Sequence, residues 1–221
     1  MKFIKIPLES ALTDLGNQLL SHLSNQEKVL WLVSGGSNIG NTIAIMNVIP
    51  DQYKSNLELL LVDERYGPAD FERSNYNQLI KNGLKLGQAR FETILRNISI
   101  EASGALLANR FEVALRQSDF TIAQIGIGKD GHIAGILPSS PAINSKDLVA
   151  TYQAADFDRI TLTFKALQQI DHIAVFCYGP DKREALDKIY SNNSSVNTIP
   201  GLFLQQIKRV RVYNDQIGEA I

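Results

Sequence analysis

Asp130 and His132 close the stretch GIGKDGH, Gly126 to His132, which directly follows the apolar run Phe120 to Ile125. An imidazole with a pKa near neutrality can take a proton from water, and a carboxylate two residues earlier can hold that ring in one orientation. The same carboxylate could instead cap the loop by accepting backbone N–H groups, and the imidazole could be satisfied by loop carbonyls. The residues alone leave both readings open. Glycines 126, 128 and 131 also spell G-x-G-x-x-G, a dinucleotide-binding fingerprint that is weak as a bare spacing. Such a fingerprint opens a long helix in the first βαβ unit, with an acid after the second strand to bind a ribose. Here Pro138 arrives six residues after His132, the segment is not the first strand unit, and no such acid stands at that distance. The dehydrogenase reading is therefore dropped.

Three further stretches carry groups suited to an anion. In SGGSNIGNT, Ser34 to Thr42, Gly35 and Gly40 have phosphate-loop spacing, but Asn41 stands where a nucleotide-hydrolysing loop has lysine. Glycines between a strand and a helix let backbone N–H groups point at a phosphate, although an ordinary tight turn has the same composition. Neither Ser34 nor Ser37 sits in a G-x-S-x-G elbow, which argues against a serine nucleophile. The stretch DERYGPADFERSN, Asp63 to Asn75, is read as a loop supplying acids and arginines, with Arg65 either in a surface ion pair or on a phosphate. Lys182, in GPDK at the start of a helix, joins a cation to helix-terminal N–H groups. Arg159 opens RITLTF and would lie at the far end of that strand if it runs parallel to its neighbours. His22 closes an amphipathic helix and His172 precedes a buried strand, so a surface or packing role and a strand-end hydrogen bond are expected of them. Cys177, the single cysteine, is read as a buried structural thiol. One histidine with nearby carboxylates falls short of a zinc ligand set, and no metal is predicted.

These stretches need a frame. Apolar runs of strand length recur at VLWLV, LELLLV, FTIAQI, RITLTF, HIAVFCY and RVRVY, most of them too continuously hydrophobic to be half exposed. Between them, Leu8 to Leu23, Ile39 to Val48, Ala105 to Leu115 and Arg183 to Ile189 have helical apolar spacing. The alternation predicts an α/β layered fold: a doubly wound, mainly parallel sheet with helices on both faces. The 221 residues are read as one domain, residues 1–221, and SNNSSVNT, Ser191 to Thr198, as a surface loop. Each chemical stretch except RITLTF follows a predicted strand, so all converge at the carboxyl edge of the sheet, where open parallel sheets bind ligands. With 22 Lys and Arg against 23 Asp and Glu, net charge −1, no nucleic-acid partner is expected. No apolar stretch approaches the roughly 20 residues of a membrane span, and MKFIKIPLES is too short and charged for a signal peptide. A cytoplasmic protein is expected, which suits a lone cysteine.

The ordered set SGGS, DER with a later SN, GIGKDGH with a following Pro, RITLT, and G-x-x-K at Gly179 to Lys182 resembles the 6-phosphogluconolactonase family. That family lies within the superfamily that includes the glucosamine-6-phosphate isomerases/deaminases, and the likeness spans nearly the whole chain. The resemblance implies hydrolysis of 6-phospho-D-glucono-1,5-lactone to 6-phospho-D-gluconate in the oxidative pentose phosphate pathway, without a cofactor. It implies His132 as the base and Asp130 as its neighbour. Gly35, Gly36, Ser37, Asp63, Arg65, Asn75, Gly128, Gly131, Arg159 and Lys182 would then surround the sugar and its phosphate. A monomer or small homo-oligomer is expected. The sequence departs from the family pattern at Asn38-Ile39, where Thr-Pro is usual, and at Ile133-Ala134-Gly135, where Thr-Ala-Ser is usual. Ile133-Ala134 is what the isomerase branch shows, yet that branch places a glutamate five residues after this histidine, where Leu137 stands here. A leucine moves no proton, so lactone hydrolysis is favoured over deamination. A non-catalytic sugar-phosphate binder is the remaining alternative.

Overall fold

The structure is a computed structural model and describes residues 1–220. Eight strands form the main sheet: β1 (Lys2–Lys5), β2 (Val29–Val33), β3 (Leu57–Leu61), β5 (Arg90–Phe91), β6 (Phe120–Gly126), β9 (His172–Cys177), β10 (Val210–Asn214) and β11 (Glu219–Ala220). Their order is β11-β1-β10-β9-β6-β2-β3-β5, and every pairing is parallel. A second, antiparallel sheet of order β4-β8-β7 is built from β4 (Asp63–Arg65), β7 (Val149–Gln153) and β8 (Asp158–Leu162).

The uninterrupted apolar runs follow from burial on both faces. Alternate residues of β2 enter opposite cores: Val29, Trp31 and Val33 on one face, Leu30 and Leu32 on the other. The first face is covered by α1 (Leu8–Ser24), α2 (Ile39–Val48) and α3 (Asn75–Lys81), through Leu15, Leu19, Ile45, Met46 and Leu79 among others. The second face is covered by α4 (Ile100–Gln117), α5 (Phe164–Leu167), α6 (Arg183–Ser191) and the small sheet. On α1, buried Ala11, Leu15, Leu19 and Leu23 recur every four residues, which is the stripe of an amphipathic helix. Serines cap two helices: the Ser74 hydroxyl accepts from Asn77 N–H and that of Ser99 from Ala102 N–H. Among the described residues no helix is long and apolar enough to cross a membrane.

The small sheet departs from the sequence reading in two ways. RITLTF is not a parallel strand of the main sheet; β8 runs antiparallel between β4 and β7. Its alternation of Ile160 and Leu162 into the core says that one face is buried, but carries no information about the direction of its neighbours. DER is likewise a strand and not a loop, because the chain leaves β3 and pairs at once with β8. Val62 bridges the two sheets, donating to Val33 and accepting from Leu162. The packing expectations fare unevenly. His22 stacks on Phe120 with ring centroids 3.7 Å apart, and Cys177 is buried with its thiol pushed up to about 12 by desolvation. His172 is buried at the start of β9 but makes no side-chain hydrogen bond among the described residues.

Candidate active site

The carboxyl ends of β2, β3, β6 and β9 lie side by side, and the segments leaving them enclose one cleft of about 290 Å³. After β2 the chain turns through Gly35 and Gly36 into a 3-10 turn, Gly36–Asn38, that runs straight into α2. Gly36 has φ +60°, a conformation costly to any side chain. At Gly35 the constraint is space: an added Cβ would lie 2.0 Å from the Asn75 carboxamide oxygen. Asn75 in turn donates through Nδ2 to the Asp63 carbonyl at 2.9 Å.

One wall is β4 and its attachments. Cross-strand pairing sets Arg65 directly opposite Arg159, which brings both guanidinium groups to the cleft. This corrects the expectation that Arg159 lies at the remote end of its strand; an antiparallel strand presents its first residues where a parallel one presents its last. Glu64, between Asp63 and Arg65, faces the other way and is fully buried. Its carboxylate accepts from the N–H groups of Arg65 (2.8 Å), Asn75 (2.6 Å) and Tyr76 (3.2 Å) and from the Ser74 hydroxyl (2.9 Å). One side chain thereby ties β4 to the N-terminus of α3 and holds Arg65 and Asn75 in register. Burial pushes Glu64 up to about 7, although its four donors pull the other way. Asp63 is also buried, and desolvation raises its pKa against the charges of Arg159, His132 and Arg65.

The facing wall is the loop after β6. Gly131 N–H bonds the Gly128 carbonyl at 3.0 Å, Gly128 N–H bonds the His132 carbonyl at 2.9 Å, and a bridge joins Ile127 to Ile133. No helix follows, so the glycine spacing here is a tight loop and not a dinucleotide turn. The Asp130 carboxylate accepts from His132 N–H at 3.1 Å and meets His132 Nδ1 at 2.6 Å, so it both caps the loop and orients the ring. Burial opposes ionisation of Asp130, but the bond to and charge of His132 outweigh it and hold the carboxyl at about 2. An ionised carboxylate only accepts, so Nδ1 carries the proton and the lone pair of the neutral ring resides on Nε2. Gly128 makes the pair possible: a Cβ there would stand 2.1 Å from His132 Nδ1 and 2.6 Å from Asp130 Oδ1.

Ten of the twelve residues singled out from sequence line this cleft: Gly35, Gly36, Ser37, Asp63, Arg65, Asn75, Gly128, His132, Arg159 and Lys182. Asp130 touches it only through the imidazole. Gly131 does not reach it; its φ is +81°, it packs on Ile199, and its carbonyl accepts from Gly201 N–H at 2.9 Å, which anchors the loop from behind. Lys182 ends the turn Pro180–Lys182 before α6, and the adjacent Asp181 pairs with Lys129 at 3.2 Å, linking this turn to the His132 loop. The sequence reading missed Ser34, Asn38 and Asp156 as wall residues and Glu64 as the support behind them. Asp156 binds Arg159 Nη2 at 2.7 Å. Six buried side-chain polar atoms lack a partner among the described residues, and three of them, Ser34 Oγ, Asn75 Oδ1 and Arg159 Nε, belong to this cleft's walls. Buried polar groups are costly to leave unpaired, and their concentration here marks a surface organised for something other than stability. Larger hollows, of about 600 Å³ beside α4 and 910 Å³ along β1, bring together no comparable set. Among the described residues no three His, Cys, Asp or Glu side chains cluster as metal ligands.

The family described as glucosamine-6-phosphate isomerases/6-phosphogluconolactonase matches residues 8–212. The chain belongs to this family. Within it, the chain is 28% identical over 185 residues to a 6-phosphogluconolactonase of Borreliella burgdorferi, covering 79% of this chain and 78% of that protein. It is 26% identical over 189 residues to a 6-phosphogluconolactonase of Rhizobium meliloti, covering 80% of each. The crystal structure of a 6-phosphogluconolactonase from Shewanella baltica superimposes with a TM-score of 0.80 at 23% identity, covering 97% of both chains. A monomeric glucosamine-6-phosphate deaminase superimposes with a TM-score of 0.76 at 20% identity, covering 98% of both. The family fold is therefore shared across both chemistries, and the choice between them rests on side chains.

Proposed function

We propose that the protein hydrolyses 6-phospho-D-glucono-1,5-lactone to 6-phospho-D-gluconate, with His132 as general base. The observation that carries this reading is the Asp130–His132 pair: Nδ1 is committed to a carboxylate, leaving Nε2 as an acceptor on a cleft with three cationic side chains. Neutral Nε2 takes a proton from water as the oxygen attacks the lactone carbonyl, and N–H groups of the glycine turns stabilise the tetrahedral oxyanion. The imidazolium, its charge balanced by Asp130, then protonates the departing ring oxygen. Gly36, Ser37, Arg65, Arg159 and Lys182 hold the phosphate and fix the ring over the base. Binding energy from the phosphate is thereby used for orientation, and an unphosphorylated lactone loses turnover as well as affinity.

Side-chain chemistry favours hydrolysis over deamination. Leu137, at the position of the isomerases' glutamate, lies outside the cleft wall, and its N–H faces the Tyr152 hydroxyl at 3.4 Å. The test is parallel measurement of acid release from freshly generated lactone and ammonia release from glucosamine 6-phosphate. Acid release well above the spontaneous rate, without ammonia, is expected. Ammonia release with lactone decaying at its uncatalysed rate would assign the cleft to the other branch.

A further inference from the structure

Asn38, which departs from the family pattern and was given no role from sequence, belongs to a buried polar group of its own. It is 2% exposed and sits at the N-cap position of α2, yet its side chain caps nothing. Its Oδ1 accepts from Asn41 Nδ2 at 3.3 Å and from Gln124 Nε2 at 3.4 Å. Gln124 is a fully buried amide in the middle of β6, flanked by apolar residues, and its Oε1 lies 3.3 Å from the Thr42 hydroxyl. Thr42 Oγ1 also lies 3.1 Å from the Asn38 carbonyl, to which Gln124 Nε2 approaches within 3.4 Å. A polar trio in a sheet core is retained at a cost unless it fixes something. What it fixes is the direction of the Asn38 carboxamide: with Oδ1 facing two donors, Nδ2 is turned toward Gly126, where an added Cβ would stand 2.7 Å away. Gly126 and Asn38 both line the cleft, and the side-chain hydrogen bonds of Asn38 among the described residues are made through Oδ1 and not Nδ2.

We propose that Asn38 Nδ2 is a hydrogen-bond donor to the phosphoryl group of a sugar-phosphate substrate, and that Gln124 is the positioning residue that aims it. The proposal deepens the lactonase reading and rests on it for the substrate. An amide nitrogen only donates, so it matches an acceptor oxygen and not a hydroxyl proton. Its neighbours on the wall, the Gly36–Ser37 backbone at the start of α2 and Lys182, offer N–H groups and a positive charge, which is the setting of a phosphomonoester dianion.

The test is a calorimetric titration of 6-phospho-D-gluconate and, separately, inorganic phosphate into wild type, Asn38→Asp, Asn38→Ser and Gln124→Leu, with thermal melts alongside. Asn38→Asp keeps the acceptor that Asn41 and Gln124 use but sets a carboxylate where the donor was. Its dissociation constant for both ligands is expected to rise about tenfold or more, and its KM with them. Asn38→Ser removes the reach of the amide without adding charge and should show a smaller rise. In Gln124→Leu, which leaves Asn38 in place but unaimed, the dissociation constants should rise in the same sense while the melt shows the fold retained. Unchanged affinity in a folded Asn38→Asp, or a loss of kcat with KM intact, overturns the proposal. If wild type binds inorganic phosphate and Asn38→Asp does not, yet wild type opens no lactone, the donor stands and the lactonase reading falls. If wild type binds neither ligand, both fall.

Discussion

The two walls of the cleft are held by different physics. On the β4 side, geometry comes from burial: Glu64 is sequestered with four hydrogen bonds, Asp63 and Asn75 are buried beside it, and Arg159 is clamped by the β4–β8 ladder. On the β6 and β9 side, geometry comes from short local contacts on exposed loops, Asp130 to His132 and Lys129 to Asp181, with glycines making room. The first wall draws its precision from the folding free energy, whereas the second draws it from contacts within and between loops. Damage to the first should be read in stability, and damage to the second in turnover.

Breaking the buried wall should give the largest effect on the fold. Glu64→Ala strands three backbone N–H groups and a hydroxyl in a dry site, and an expected loss of about 3–5 kcal/mol by denaturant unfolding checks it. A loss below about 1 kcal/mol would mean that water replaces the carboxylate and that the walls do not differ in kind. The opposite experiment is Gly128→Ala. Its methyl group collides with the Asp130–His132 pair and should lower kcat by about tenfold to a hundredfold, with a melting curve close to wild type. A third experiment concerns a buried group away from both walls. Desolvation by burial, with help from Arg211, lowers His172 from 6.5 to about 4. The unfolded chain protonates this imidazole first as pH falls, so the contribution of His172 to stability is flat above pH 6.5 and drops by about 3 kcal/mol between pH 6.5 and 4, while Glu64, raised to about 7, contributes a change of opposite sign over much of the same range. His172→Gln removes that contribution, so urea midpoints should show wild type losing stability relative to the variant as pH falls from 6.5 to 4. The smallest effect is expected from Lys129→Ala, because its pair with Asp181 is solvent-exposed; Tm should not measurably move, and kcat should stay within about twofold.

Much of the frame could be read from periodicity because the strands of the main sheet are dry on both faces. VLWLV and HIAVFC could hardly be anything else, and the spacing expected over Ile39 to Val48 coincides with α2. What periodicity could not convey was partnership. RITLT alternates as any half-buried strand does, so its antiparallel pairing with DER stayed hidden, and with it the route by which Arg159 meets Arg65. DER itself looked like a charged loop because three polar residues give no apolar signal, although burial of Glu64 is what holds that part of the site together. Asn38, noted only as a departure from the family pattern, and Asp156 were given no role for related reasons. One is a polar residue in a glycine turn, the other an acid in a loop, and each becomes noticeable only when strands from distant parts of the chain converge. Gln124 was the one visible clue, a lone amide inside an apolar run, and it was read simply as strand.

The most direct test is acid release from freshly generated 6-phospho-D-glucono-1,5-lactone by wild type and His132→Ala, followed in a pH-stat, with 6-phospho-D-gluconate binding measured on both. The wild type should exceed spontaneous opening, while His132→Ala loses about a hundredfold to ten-thousandfold of the rate and still binds the product. An alanine variant that hydrolyses the lactone as fast as wild type would contradict the assignment of His132 as the base.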